Sequence, residues 1–90
     1  MSLLSNLQIS TNGEAALGAI SESGAFIQFD GVFDGATVSL MSSTDGGTTF
    51  NKIRDFTSPD RLRYDGSVGE VLKLTTAAAT ANTNIQVSIR

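Results

Sequence analysis

Apolar residues at every second position, in one short run after another, constrain this 90-residue chain more than any other feature. In NIQVSIR, residues 84–90, Ile85, Val87 and Ile89 fall on one side, and Gln86, Ser88 and Arg90 fall on the other. A period of two is that of a half-buried strand, whose side chains alternate between faces. ATVSLMS (36–42) repeats it, with Ala36, Val38 and Leu40 on one face and Thr37 and Ser39 on the other. In AFIQFD (25–30), Ala25, Ile27 and Phe29 oppose Phe26, Gln28 and Asp30. In GEVLKLT (69–75), Leu72 and Leu74 oppose Val71 and Lys73. TTFNKIR (48–54), RLRY (61–64) and EAALGAI (14–20) complete the set, and helical spacing is sustained nowhere. Turn-forming pairs separate the runs: Asn12-Gly13, Ser23-Gly24, Asp34-Gly35, Asp45-Gly46-Gly47, Ser58-Pro59-Asp60 and Asp65-Gly66. Short strands at this spacing predict an all-β fold, a small antiparallel sandwich, Ig-like or jelly-roll-like, of seven to eight strands.

Two segments do not follow the pattern. TTAAATANTN, residues 75–84, has no useful period and reads as a loop or irregular crossing before the final strand. Near the start, Leu3, Leu7 and Ile9 share one strand parity, so residues 1–12 read as an arm or edge strand and 13–90 as a single sandwich domain. A chain this short buries only about 60–65% of the surface its unfolded form exposes, which makes association with other subunits an expectation.

Composition excludes several functions. Six basic residues stand against nine acidic ones. Arg54, Arg61 and Arg63 are interleaved with Asp55, Asp60 and Asp65, so the basic face that phosphate binding requires is missing. No run approaches the ~20 apolar residues of a membrane span, and the start has no signal-peptide pattern. With neither cysteine nor histidine in the chain, thiolate metal sites and histidine-activated nucleophiles are excluded. The nearest acid pair, Asp30 and Asp34 in FDGVFDG, reads as turn material, since each precedes a glycine. The expectation is of no catalysis, no cofactor, no metal, and neither nucleic acid nor membrane as a partner.

Residues 42–50, SSTDGGTTF, lie between two strand runs. Glycine reaches positive φ without steric cost and aspartate bonds its own downstream backbone, which is hairpin chemistry. The run Ser43-Thr44-Asp45-Gly46-Gly47-Thr48-Thr49-Phe50 resembles the Asp-box, S-x-D-x-G-x-T-[W/F], found in sialidases and in many unrelated β-proteins. The resemblance implies that the Asp45 carboxylate ties down turn amides and that the Phe50 ring packs under the hairpin. Ser43, Gly47 and Thr49 are the other hairpin positions it assigns. It implies nothing about catalysis.

A wider likeness spans about residues 25–90. The run Phe29-Asp30-Gly31-Val32-Phe33-Asp34-Gly35-Ala36-Thr37-Val38-Ser39-Leu40, then SSTDGGTTF, GEVLKL and NIQVSI, is similar in order and spacing to small bacteriophage virion proteins of the head-decoration and tail-associated β-sandwich type. It departs from them in carrying Phe50 where tryptophan is common, and in IRDFTSPDRLRYDG, which has no counterpart. The likeness implies a structural virion protein of a tailed phage, made in the host cytoplasm. Its first expected role is as a capsid decoration or cement protein bound to the major capsid protein; a tail- or neck-associated role is the alternative. It also implies a homo-oligomer, with a trimer suiting a local threefold of the shell. Leu3, Leu4, Leu7 and Phe26 are the expected intersubunit contacts, because they place apolar groups where a lone sandwich wants polar ones. A carbohydrate-binding module is the rival reading, with Tyr64 as the candidate aromatic platform.

Overall fold

The computed structural model describes residues 6–20 and 25–89. Leu3, Leu4, the Ser23-Gly24 turn and Arg90 lie outside the described residues. All regular structure among the described residues is β, in eight strands: β1 Asn6–Ile9, β2 Gly13–Ala19, β3 Ala25–Val32, β4 Thr37–Ser43, β5 Asn51–Phe56, β6 Asp60–Tyr64, β7 Val71–Ala77 and β8 Asn84–Ile89. They form two antiparallel four-stranded sheets. Sheet A has the order β1-β8-β3-β6, and sheet B has the order β2-β7-β4-β5.

This order is that of a jelly roll. The chain behaves as one long hairpin bent at the β4–β5 turn, so that β4 pairs β5, β3 pairs β6, β2 pairs β7 and β1 pairs β8. Rolling the hairpin adds β3 to β8 and β4 to β7, which joins each set of four into a sheet. An Ig-like order, ABED on CFG, would instead place three of its six sequential strand pairs side by side. Here only β4 and β5 are sequential neighbours.

The alternation in the sequence is the alternation between core and exterior. Ile27, Phe29, Val38, Leu40, Leu72, Leu74, Ile85 and Val87 are all buried, and their strand neighbours face outward. Each such side chain contributes about 1.5–3 kcal/mol through its removal from water. Phe56 of β5 stacks on Phe29 of β3, ring centroids 4.3 Å apart, and so links the layers at one end of the core. Phe33 meets Phe29 at 6.5 Å in a tilted contact. Gly31, with φ near +99°, lies where β3 passes β8; a Cβ there would sit 2.2 Å from the carbonyl oxygen of Asn84.

Two expectations are corrected. Thr75, Thr76 and Ala77 belong to β7, where Thr76 pairs with both Gly13 and Val38; cross-strand partners on two sides override the weak local pattern. The irregular crossing is confined to residues 78–83. The strand expected over 48–54 begins at Asn51, because Thr48 and Thr49 have their amides drawn to Asp45 instead of to a neighbouring strand.

Candidate functional site

Ser43 and Asp45 together build the β4–β5 hairpin. Ser43 ends β4 and is fully buried. Its Oγ donates to Asp45 Oδ1 at 2.6 Å and accepts from the amides of Gly47 at 2.9 Å and Asp45 at 3.3 Å. Asp45 Oδ1 accepts from the amides of Thr48 at 3.1 Å and Thr49 at 2.9 Å. The Ser43 hydroxyl, followed by the Thr49 amide, holds the Asp45 carboxyl at about 2. Gly46 and Gly47 take φ of 81° and 101°, which side-chain-bearing residues rarely adopt. Phe50 is half-buried, with Lys73 Nζ 4.2 Å from its ring centroid. The same ammonium pairs with Glu14 at 3.2 Å, so the ring helps carry a charge pair that ties β7 to β2. Asp45 thereby ties down two turn amides and Ser43 two more.

At the same end of β4, one residue before Ser43, a second polar cluster lies within the sandwich. Glu70 is buried just before β7. Its Oε2 accepts from Tyr64 at 2.5 Å and from Ser42 at 3.0 Å, and its Oε1 accepts from the Ser67 amide at 3.0 Å. The Tyr64 and Ser42 hydroxyl oxygens lie 3.2 Å apart. The Ser67 amide and then the Tyr64 hydroxyl hold the Glu70 carboxyl below its ordinary range, against the opposing effect of burial. Burial, reinforced by the adjacent carboxylate, raises the Tyr64 phenol. The backbone closes round the cluster: the Ile20 amide donates to Glu70 O at 2.9 Å, and the Gly69 amide donates to Ile20 O at 2.8 Å. Gly66 leaves the needed room, since a Cβ there would meet the Tyr64 ring at 2.5 Å and Ile20 at 2.7 Å. Carboxylate, phenol and serine are mutually satisfied, which makes this a pin between β4, β6 and the start of β7.

Sequence reading missed this cluster, although strand parity contained it. Glu70 shares the parity of Leu72 and Leu74, Ser42 that of Leu40, and Tyr64 that of Leu62. Carrying each alternation one step further sends all three inward.

A third set of bonds fixes the crossing between β7 and β8. Buried Thr83 donates to Phe33 O at 3.0 Å and accepts from the Thr80 amide at 2.9 Å. Asp34, at φ 48°, accepts from the Thr80 hydroxyl, and Asn12 accepts from the Ala79 amide at 2.7 Å.

The remaining expected positions are dispersed. Tyr64 packs against the core and spends its hydroxyl on Glu70 and Ser42, so its ring is not presented flat to solvent. Phe26 is half-buried on the outer face of sheet A, across from Arg63. Leu7 packs at the rim of the core on the edge strand β1, so it and Phe26 address opposite sides of the sheet. Asp30 accepts from Gln28 on the outer face of β3 at 3.1 Å, while Asp34 is engaged in the β3–β4 turn; the two do not act as a pair. Among the described residues, the large apolar side chains most open to solvent are Val32, Ile53 and Val68, on three different segments, and none of them was an expected contact. Among the described residues, no group of three or more acidic side chains is placed to hold a metal ion, and every buried side-chain polar atom has a hydrogen-bond partner. Comparison with known protein families, curated proteins and solved structures finds no match to this chain.

Proposed function

We propose that this chain is a structural virion protein of a tailed bacteriophage, a decoration or cement protein that binds the head shell and holds it closed. The observation that carries the reading is the clamped framework. Three hydrogen-bonded clusters, centred on Asp45, Glu70 and Thr83, fix the connections between strands before any partner arrives. A module with its shape already set loses little conformational freedom on docking, and a shell that repeats one site many times turns weak contacts into a durable coat. The likeness of residues 25–90 to phage head-decoration and tail-associated proteins supplies the class of assembly. The jelly-roll order is compatible with it, since that architecture recurs in viral capsid domains, though fold alone does not assign a role.

A tail- or neck-associated role uses the same framework on a different surface. The carbohydrate reading has less support, because Tyr64 is committed to Glu70 and Ser42. The test is cosedimentation of the purified chain with heads and, separately, with tails of the phage that encodes it, each prepared without it. Saturable binding to heads, with a rise in the temperature at which they open, is the expected result. Binding to tails alone moves the role there. Binding to neither, with retention on a glycan surface that Tyr64→Ala abolishes, replaces the proposal with the rival.

A further inference from the structure

The four sheet edges of this sandwich are not protected alike. A free edge presents unpaired backbone donors and acceptors, and proteins blunt it with charge, bulges or proline. β5 carries Lys52, Arg54 and Asp55, and its pairing with β4 is broken by a register shift at Leu40/Met41. β6 carries Asp60, Arg61 and Arg63. β2 carries Glu14, and its register shifts between Ala16 and Gly18. β1 has neither device. Its four residues, Asn6, Leu7, Gln8 and Ile9, are uncharged and hold unbroken register with β8, and among the described residues nothing pairs with their other side. Leu7 is only half-buried there, at the rim of the core.

The geometry points to β1 as a homodimer edge, pairing antiparallel with β1 of a second copy to give one continuous eight-stranded sheet. Charge selects that occupant. A two-fold axis places copies of the same strand side by side, so Lys52 with Arg54, or Arg61 with Arg63, would crowd like charges across β5 or β6, whereas β1 has no charge to oppose its own image. Register requires an axis that passes through a residue, and Gln8 is the one that covers both Leu7 and Ile9 with described residues. Antiparallel neighbours that stand opposite share a face. With the axis at Gln8, Leu7 lies opposite the partner's Ile9 on the core side, and Gln8 lies opposite the partner's Gln8 on the outside. Moving the axis between residues would set Leu7 against a glutamine and break both layers. Main-chain bonds then continue sheet A, and Leu7 is covered.

This pairing concerns the isolated chain, so it stands or falls separately from shell binding. The chain has no cysteine, so an introduced thiol reports on one position alone. Opposed Cα atoms in an antiparallel pair are about 4.5–5.5 Å apart, within the range a disulfide spans. Gln8 is exposed, so substitution there spares the core. Sedimentation equilibrium is expected to give a dimer whose dissociation constant rises roughly fivefold in Gln8→Lys, as lysines meet across the axis. Gln8→Cys is expected to oxidise to a covalent, folded dimer, while Gln28→Cys, on the central strand β3, does not. A monomer at the highest soluble concentration overturns the pairing and leaves the edge to a strand of another polypeptide. A trimer, a dimer indifferent to Gln8→Lys, or equal cross-linking of the two cysteine variants also overturns it.

Discussion

A buried carboxylate is retained when enough donors replace water around it, and Glu70 has three: the Tyr64 and Ser42 hydroxyls and the Ser67 amide. Removing one exposes the cost of the rest. Tyr64→Phe keeps the ring in the core and is expected to lower the free energy of unfolding by about 1–2 kcal/mol in urea titration. The pH response has a definite sign. Asp45 is held at about 2, Glu70 is held below its ordinary range, and the Ser39 hydroxyl followed by Lys52 lowers Asp55. The unfolded chain therefore binds protons at a pH where the folded chain does not, so acid favours unfolding. The stability these groups contribute is complete above about pH 4.5 and is lost as pH falls towards 2. Melting temperatures measured from pH 7 to pH 2 should be level and then drop, and Glu70→Gln should start lower and drop less. The parity of single residues was readable in advance; the partners were not. Nothing in the order of residues 42, 64 and 70 announces that three separate strand regions converge.

Elements were legible in proportion to their alternation. β3 and β8 alternate cleanly, and their inward residues are those expected; β4 does so as far as Leu40 and then buries Ser42 and Ser43. β5 has five exposed residues and only Phe56 buried, so little apolar pattern marks its start; its boundary is set by the Asp45 turn. Thr75–Ala77 resembles loop material by composition and becomes strand because β2 and β4 offer hydrogen bonds on either side. The hairpin was the most legible feature, since its bonds run within seven residues of chain. Asp45→Ala is expected to free the Thr48 and Thr49 amides, seen as faster hydrogen exchange at those two positions while the amides of β8 stay protected.

At the scale of the whole molecule, local pattern gave the layers but left their connection open, because alternation says which face is buried and not which strand lies alongside. The jelly-roll order makes nearly every pairing distant in sequence: Asn6 meets Ser88, and Gly13 meets Thr76. Closing such loops before their contacts form is slow. Refolding by stopped flow is expected to take milliseconds to seconds, and the hairpin variant Asp45→Ala should slow it if the β4–β5 bend forms early.

The pairing of β1 with β8 also bears on how the chain is made. Asn6 leaves the ribosome well before its partner strand, which begins at Asn84. At ordinary rates of synthesis the earlier strand waits roughly 4–16 s for the later one to emerge. Until then sheet A lacks its second member, and every nascent copy on a shared messenger shows its neighbours an uncharged, unoccupied ribbon.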